Sequence, residues 1–244
     1  MKSIKVLWMA IMALVINVGV AQDLDEVLAS HFEAVNQEVL SHSTSMHMVG
    51  KSGRMGQEFG FEMWQKRPKM MRMEADVQGQ KMIQVYDGEK GYLVAPWTGS
   101  LEPQEMGLEQ MEQMEQQSDM DGDLWNWKEK GSQLTFEGSE DFEGSEVYVL
   151  ELIRKNGDEE KIFIDADSYL IIKQVSKTMV QGAEMSMETY MSNYKEANGV
   201  VMPYYIETRM GGQIVSTVTL EKVEFDPELD DHLFEKPESP KKQE

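Results

Sequence analysis

The chain has 244 residues, no cysteine and a formal net charge of −21. An acidic excess of this size repels nucleic acids and anionic bilayers, so neither is expected as a partner. Without cysteine the protein has no disulfide bonds and no thiol chemistry, and it cannot carry a lipobox cysteine. The length is sufficient for one domain with a large core.

The first 21 residues have the pattern of a cleaved signal peptide. Lys2 and Lys5 precede an apolar run, and residues 19–21 read GVA, a small-x-small ending. The run is too short to predict a membrane span. We therefore expect an exported, soluble chain that begins at Gln22, with a retained amino-terminal anchor as the alternative.

Apolar residues recur at helical spacing between Asp23 and Glu38, which predicts an amphipathic helix. From Phe59 to Pro96 the pattern changes to the period-two alternation of β-strands, with a tight turn at Asp87-Gly88. The residues expected on the apolar face of these strands are Phe59, Phe61, Met63, Met71, Met73, Ile83 and Val85.

Arg67 shares the parity of Phe59, Phe61 and Met63, and the following Pro68 marks the end of a strand. A permanently charged group on an apolar face needs a partner. This makes Arg67 the most informative residue of the stretch.

The alternation stops in an insert at about residues 97–124. Leu108, Met111 and Met114 follow helical spacing, which predicts a short, weakly amphipathic helix, and a surface loop is the alternative. The acidic run Asp119–Asp123 resembles a calcium loop only in part, because its glycine and its twelfth position do not fit.

From Leu124 onward the chain alternates again, with turn signals such as Asn156-Gly157. Apolar positions in these strands include Tyr148, Leu150, Met185 and Met187. The sequence predicts a mainly antiparallel fold of about eleven strands, and a disordered charged tail at residues 238–244.

No residue pattern predicts catalysis. The four histidines lack metal-ligand spacing, and the chain has neither a nucleophile elbow nor a glycine-rich phosphate loop. We expect that the protein is not an enzyme and uses neither a cofactor nor a metal. A glycosidase-like pair of catalytic carboxylates is the alternative, because acidic pairs are plentiful in so acidic a chain. Methionine is more informative, because 18 of the 21 methionines follow the leader and this soft side chain repacks around varied ligands. The alternative is a methionine-rich core without a ligand.

The motif W-x-K-R-P at residues 64–68, followed by Asp87-Gly88 and Pro96, resembles the LolA-type carriers of outer-membrane lipoproteins. The resemblance extends to the leading helix, the helical insert, Ile164-Asp165 and the closing D-D-x-x-F-x-x-P at residues 230–237. It departs from the family in the long, acidic, methionine-rich insert and in the tail.

The resemblance implies one α+β domain over residues 22–237, an incomplete antiparallel barrel covered by a helical lid. Arg67 would hold the lid closed, with Trp64, Pro68, Asp87 and Gly88 as motif support. The face of the strands would receive acyl chains of lipoproteins, loaded from an inner-membrane ABC-type exporter onto a monomeric carrier and delivered to an outer-membrane acceptor. The alternatives are a carrier of free lipid or glycolipid, and an envelope-stress sensor.

Overall fold

The computed structural model describes residues 12–54, 56–180 and 183–239, with side chains from residue 24 onward except at residues 96, 178–180, 183 and 184. In chain order its strands are β1 (Ser45–Arg54), β2 (Gln57–Lys66), β3 (Met70–Val77), β4 (Gln80–Tyr86), β5 (Gly91–Val94), β6 (Gln104–Glu105), β7 (Gln133–Phe142), β8 (Ser145–Ile153), β9 (Glu159–Asp165), β10 (Ile171–Val180), β11 (Ala183–Ala197), β12 (Val200–Met210) and β13 (Gln213–Phe225).

These strands form one sheet in the order β6-β5-β4-β3-β2-β1-β13-β12-β11-β10-β9-β8-β7. The sheet is not closed into a barrel, since β6 and β7 stand at its two ends. The predicted α+β, mainly antiparallel fold is confirmed. The described sheet has thirteen strands where about eleven were expected, partly because the two-residue β6 is too short to show any alternation.

The helices are α1 (Met12–Val35), α2 (Gln37–His42) and α3 (Leu108–Gln117), with 3-10 helices at Pro96–Thr98 and Asp231–Phe234. The helix predicted from Asp23 to Glu38 is interrupted in the structure at Asn36, whose φ is 55°. Asparagine tolerates this left-handed conformation better than most residues do. Its side chain also donates a 2.8 Å hydrogen bond to the carbonyl of Gly199.

The predicted signal peptide lies largely outside the described residues. Residues 1–11 are not described, and residues 12–21 belong to the first part of α1. Within the described part of the chain, no helix is both long enough and apolar enough to cross a membrane. Most of the predicted tail, residues 240–244, also lies outside the described residues.

The chain divides into two compact units by its contacts. Unit 1 contains the chain up to Val35 together with Asp123–Tyr190, and unit 2 contains Asn36–Gly122 and Met191–Glu244. The single-domain boundaries at residues 22 and 237 stay a prediction.

In unit 1, α1 packs on the sheet through a cluster of branched aliphatic side chains. Its buried members are Val27, Leu28, Leu124, Leu134, Leu150, Leu152, Ile162 and Ile164. His31 of α1 is also buried and makes a 2.8 Å hydrogen bond from Nδ1 to the carbonyl of Tyr169. The Phe32 ring meets the Trp125 ring edge-on, with the centroids 5.0 Å apart.

In unit 2, the two faces of the first strands have different coverings. One face carries the methionine-rich clusters described below, and the other is covered by the end of the chain. There Phe234 of the 3-10 helix is 1% exposed and packs with Ile83, Val85 and Val94. Arg72 donates a 2.9 Å hydrogen bond to the carbonyl of Leu233 and fixes this terminal segment to β3.

Candidate functional site

Arg67 lies directly after β2 and is held by four hydrogen bonds. Two parallel bonds of 2.6 Å join its Nη1 and Nη2 atoms to the carboxylate of Asp121. Its Nε donates to the carbonyl of Ser43 over 2.7 Å, and Nη2 also donates to the carbonyl of Leu40 over 3.1 Å. The side chains are partly buried, 26% exposed for Arg67 and 17% for Asp121, so water screens this ion pair less than it would at the surface. We call Arg67, Asp121 and the two carbonyls the Arg67 cluster.

The Arg67 cluster connects three separate segments of unit 2. Leu40 and Ser43 lie at the carboxyl end of α2, where carbonyl groups lack helical partners and a positive charge is favourable. Gln37, at the start of α2, donates a 3.1 Å hydrogen bond to the backbone carbonyl of Asp121. The end of β2, the short helix α2 and the loop at Asp121 are therefore fastened by directed polar contacts.

Two further contacts attach α3 to the same end of β2. Gln65, which is 4% exposed, donates a 2.6 Å hydrogen bond from Nε2 to the carbonyl of Gln117 at the end of α3. Lys69 pairs with Glu115, and this contact raises the pKa of the lysine. Met114 is 3% exposed and packs with Met71 and Tyr86. The predicted insert helix thus exists and lies on the strands.

The sequence did not identify Gln65, Asp121 or the two carbonyls as parts of this arrangement. The alternation of β2 gives Gln65 the same parity as Met63 and Arg67, so a second polar residue on an apolar face was an available signal. Asp121 belongs to the acidic run that resembled a calcium loop. In the described part of the chain no group of three or more His, Asp or Glu side chains is placed to hold a metal ion.

Five of the residues predicted to line an acyl cavity share one face of unit 2. Cross-strand pairing sets Phe61 opposite Ala75, and Met63 opposite Met73. Unit 2 has two methionine-rich clusters, one around Met46 and Met48 and one around Met71 and Met114, and Met63 packs against both. We call this surface, which carries Phe59, Phe61, Met63, Met71 and Met73, the methionine face.

Ile83 and Val85 do not belong to the methionine face, so the prediction that placed them there was wrong. The register of β3 and β4 sets Met71 opposite Tyr86 and Ala75 opposite Met82, so the even-numbered residues of β4 share that face. Ile83 and Val85 point the other way and pack under Phe234. The sequence run around them is apolar on both sides, and alternation alone could not distinguish the two faces.

Leu108 is a second correction, because its side chain is 82% exposed and does not pack as a lid residue. It is the first residue of α3, where the helix is still leaving the preceding loop. Met111 and Met114, one and two turns further along, do pack against the cluster around Met71.

The four motif-support residues have structural surroundings of their own. Trp64 lies on the face opposite the methionine face and stacks on the His47 ring, with centroids 5.1 Å apart and planes 4° from parallel. Asp87 accepts hydrogen bonds from the backbone of Glu89 and Lys90, and Gly88 has a φ of 100° that suits this tight turn. Pro68 is exposed.

The remaining predicted lining residues belong to unit 1. Leu150 is fully buried in its aliphatic cluster, and Tyr148 is partly buried against that cluster. The register through β9, β10 and β11 places the half-buried Met185 and Met187 on the same face as Leu150. That these residues and the methionine face line a single cavity stays a prediction.

Burial of the methionine face is uneven along the strands, and Phe61 and Ala75 in its middle are 7% and 3% exposed. Near the Arg67 cluster, Met46 and Met48 are 6% and 8% exposed. Towards the hairpin turns at the far ends of the strands, Phe59, Met82 and Val218 are only partly buried. The turn end of the methionine face is therefore incompletely covered.

Neither the models of known protein families nor the curated proteins include a match to this sequence. Solved structures do match. A DUF1329 family protein from Desulfovibrio piger has a TM-score of 0.59 at 16% identity over 86% of this chain and 97% of that chain. A LolA superfamily protein from Nitrosomonas europaea has a TM-score of 0.59 at 13% identity, covering 85% of this chain and 97% of that one. The chain has a LolA-like fold.

A domain from Vibrio parahaemolyticus that is named for outer membrane lipoprotein sorting agrees, with a TM-score of 0.57 at 13% identity over 85% of this chain and 95% of that domain. Identities this low establish the fold alone. In each case the similarity covers most of this chain.

Proposed function

We propose that this protein is a periplasmic carrier that shelters the acyl chains of lipoproteins on their way to the outer membrane. The observation that carries the proposal is the combination within unit 2 of the methionine face, incompletely covered at its turn end, with the Arg67 cluster at its other end. The LolA-like fold supports the proposal. The role is binding and transport, without catalysis, metal or cofactor.

The physical problem for such a carrier is release as much as binding. Transfer of acyl chains out of water is favourable by about 0.8 kcal/mol per methylene, so a diacyl anchor does not cross an aqueous compartment unaided. Methionine side chains adapt to ligands of varied shape without a fixed pocket. In this proposal the closed state of the carrier is held by a small number of polar contacts at Arg67 and not by a fully apolar interface. The closed and open states of the carrier are therefore close in free energy.

The partners in this proposal are acylated lipoproteins, an inner-membrane ABC-type exporter that loads the carrier, and an outer-membrane acceptor. The carrier would act as a monomer. Transport of free lipid or glycolipid is the second candidate, because the methionine face offers contacts to acyl chains and says nothing about what the chains are attached to.

Native mass spectrometry of the protein purified from a periplasm distinguishes these two cargoes. Acylated peptides in the complex support lipoprotein transport, and intact free lipids support the second candidate. A protein that neither retains acylated cargo nor binds a fluorescent diacylated peptide would contradict both.

The role of Arg67 is tested by Arg67→Leu, with Arg54→Leu at the exposed end of β1 as the matched control. The variant removes the four hydrogen bonds that the Arg67 guanidinium donates to Asp121, Ser43 and Leu40, and we expect a folded protein that still binds the diacylated peptide. We expect release of the peptide to acceptor vesicles to slow by about tenfold. This corresponds to a loss of about 1.4 kcal/mol in the stability of the closed, empty state relative to the open, loaded state. Transfer at the wild-type rate would remove Arg67 from the mechanism while leaving the carrier function itself standing.

A further inference from the structure

A second candidate binding site lies within unit 1, apart from the residues that the carrier proposal uses at Arg67. It is a cavity of about 290 Å³ beside the second half of α1 and the strands β7 and β8. It is lined by Glu26, Val27, Phe136, Ser139, Tyr148 and Tyr169. Its size is at the lower limit of small-molecule sites, so a ligand for it would be small.

Aromatic rings make up one side of this cavity. The Tyr148 ring lies between the other two, 6.1 Å from the centroid of Phe136 and 5.9 Å from that of Tyr169. The planes of Tyr148 and Tyr169 are 28° apart, close to stacked. Aromatic faces carry partial negative charge, and they attract ammonium groups placed within about 6 Å of the ring centroid.

The charge of the cavity has a single sign. Glu26 is the ionisable acid among the six described lining residues, and none of the six is basic. The pKa of the Tyr148 hydroxyl is raised above its ordinary value, first by burial, then by Tyr169, and further by the charges of Glu146 and Glu26. The carboxylates of Glu146 and Glu26 are therefore close enough to act on the Tyr148 hydroxyl at the wall of the cavity.

We propose that this cavity binds a small organic cation, an alkylammonium or quaternary ammonium group, with its positive charge facing Glu26 and the faces of the tyrosine rings. An anion would meet only like charge there, from Glu26 and the ring faces. The site does not depend on the proposed carrier function.

The same ammonium chemistry has two sources, a free soluble cation or the headgroup of a phospholipid. Choline represents the first source, and dihexanoyl phosphatidylcholine below its micellar concentration represents the second. If both bind, or the lipid binds more tightly, the headgroup is the source. If choline binds and the lipid does not, the ligand is a free cation, because the headgroup phosphate is repelled by Glu26. Either pattern supports an ammonium site.

The deciding measurement is isothermal titration calorimetry of the full-length protein with choline and with its uncharged isostere 3,3-dimethylbutanol. The two have the same shape and differ in charge. We expect the alcohol to bind at least tenfold more weakly, the least that a cation–aromatic contact and one carboxylate together should contribute. Equal binding of choline and 3,3-dimethylbutanol, or no binding of either choline or the phosphatidylcholine, overturns the proposal.

Two variants locate the effect. Glu26→Gln should weaken choline binding about tenfold, whereas Glu33→Gln, also exposed on α1 but away from the cavity, should leave it unchanged. Tyr148→Phe should retain most of the affinity because the ring remains, and Tyr148→Leu should lose it. Since Glu26 is exposed, its variant tests the site even if Tyr148→Leu fails to fold. Unchanged affinity in Glu26→Gln overturns the assignment.

Discussion

The two units of the protein differ in how much methionine they bury. The main cluster of unit 1 is built from leucine, isoleucine and valine, with no methionine among its described buried members. Unit 2 buries methionine in both clusters of the methionine face. Its buried methionines are Met46, Met48 and Met120 in the larger cluster and Met71, Met106 and Met114 in the smaller one.

This difference separates a fixed core from an adaptable one. Branched aliphatic side chains have few rotamers and pack in one arrangement, whereas the unbranched thioether of methionine fills irregular space in several. The polar contacts that hold the helices of unit 2 fit this difference. Unit 2 adds the Arg67 cluster and the Gln65 contact to its soft core, so that directed hydrogen bonds as well as packing hold α2 and α3 in place.

The largest expected effect comes from truncating one side chain in each core. Leu150→Ala in unit 1 should lower the free energy of unfolding by about 2–5 kcal/mol, since Leu150 is fully buried among branched neighbours that cannot collapse into the space. Met73→Ala on the methionine face should cost less than about 2 kcal/mol, because Met73 is only partly buried and its methionine neighbours can move into the gap.

Urea unfolding followed by circular dichroism and by tryptophan fluorescence gives both values. Leu150→Met serves as the control for volume, and it should cost less than about 1.5 kcal/mol. Equal losses for the two alanine variants would mean that the methionine face is packed as rigidly as the aliphatic core, and the comparison would fail.

The strands and the alternation of their faces were predictable from the sequence because period-two patterns survive in short segments. Phe61 and Met63 were correctly placed on one face with Met71 and Met73. The fold followed from the order of motifs along the whole chain, and the solved LolA-like structures agree with it.

The errors arose where a pattern was the same for two different structures. Ile83 and Val85 lie in a strand that is apolar on both sides, so only the register with β3 shows which face they join. Asp121 was one acid among many, and nothing local to it indicates that Arg67, 54 residues earlier, binds it. Contacts between residues this distant in sequence depend on the sheet topology, which parity within one strand does not provide.

A smaller effect should follow from the buried fastening of α3. Gln65→Leu keeps an apolar side chain of similar size on the methionine face but removes the donor to the carbonyl of Gln117. The carbonyl then loses its partner, and we expect a loss of about 1–2 kcal/mol. Hydrogen–deuterium exchange should become faster within α3 and not in unit 1.

Gln80→Leu, at the exposed start of β4, is the control for adding an apolar side chain at a site without a buried partner. If Gln65→Leu changes the exchange of both units alike, the contact supports global stability instead of holding α3 locally. In that case the Gln65 contact is not what holds α3 in place within unit 2.

The smallest effect concerns pH and belongs to unit 1. Burial lowers the pKa of His31 below its ordinary value of 6.5, and its hydrogen bond to the carbonyl of Tyr169 opposes this only in part. The unfolded chain therefore takes up a proton at a higher pH than the folded one. The contribution of neutral His31 to stability is complete above pH 6.5 and is lost as the pH falls through the folded pKa, with a slope below about 1.4 kcal/mol per pH unit, the limit for one proton.

His31→Gln keeps a donor for the Tyr169 carbonyl without titrating, so the free energies of unfolding in urea at pH 7.5 and pH 5.5 should differ less for this variant than for the wild type. The exposed His42→Gln should behave like the wild type. If the stability of His31→Gln shows the full wild-type pH dependence, the buried histidine is not the group that makes unit 1 sensitive to acid.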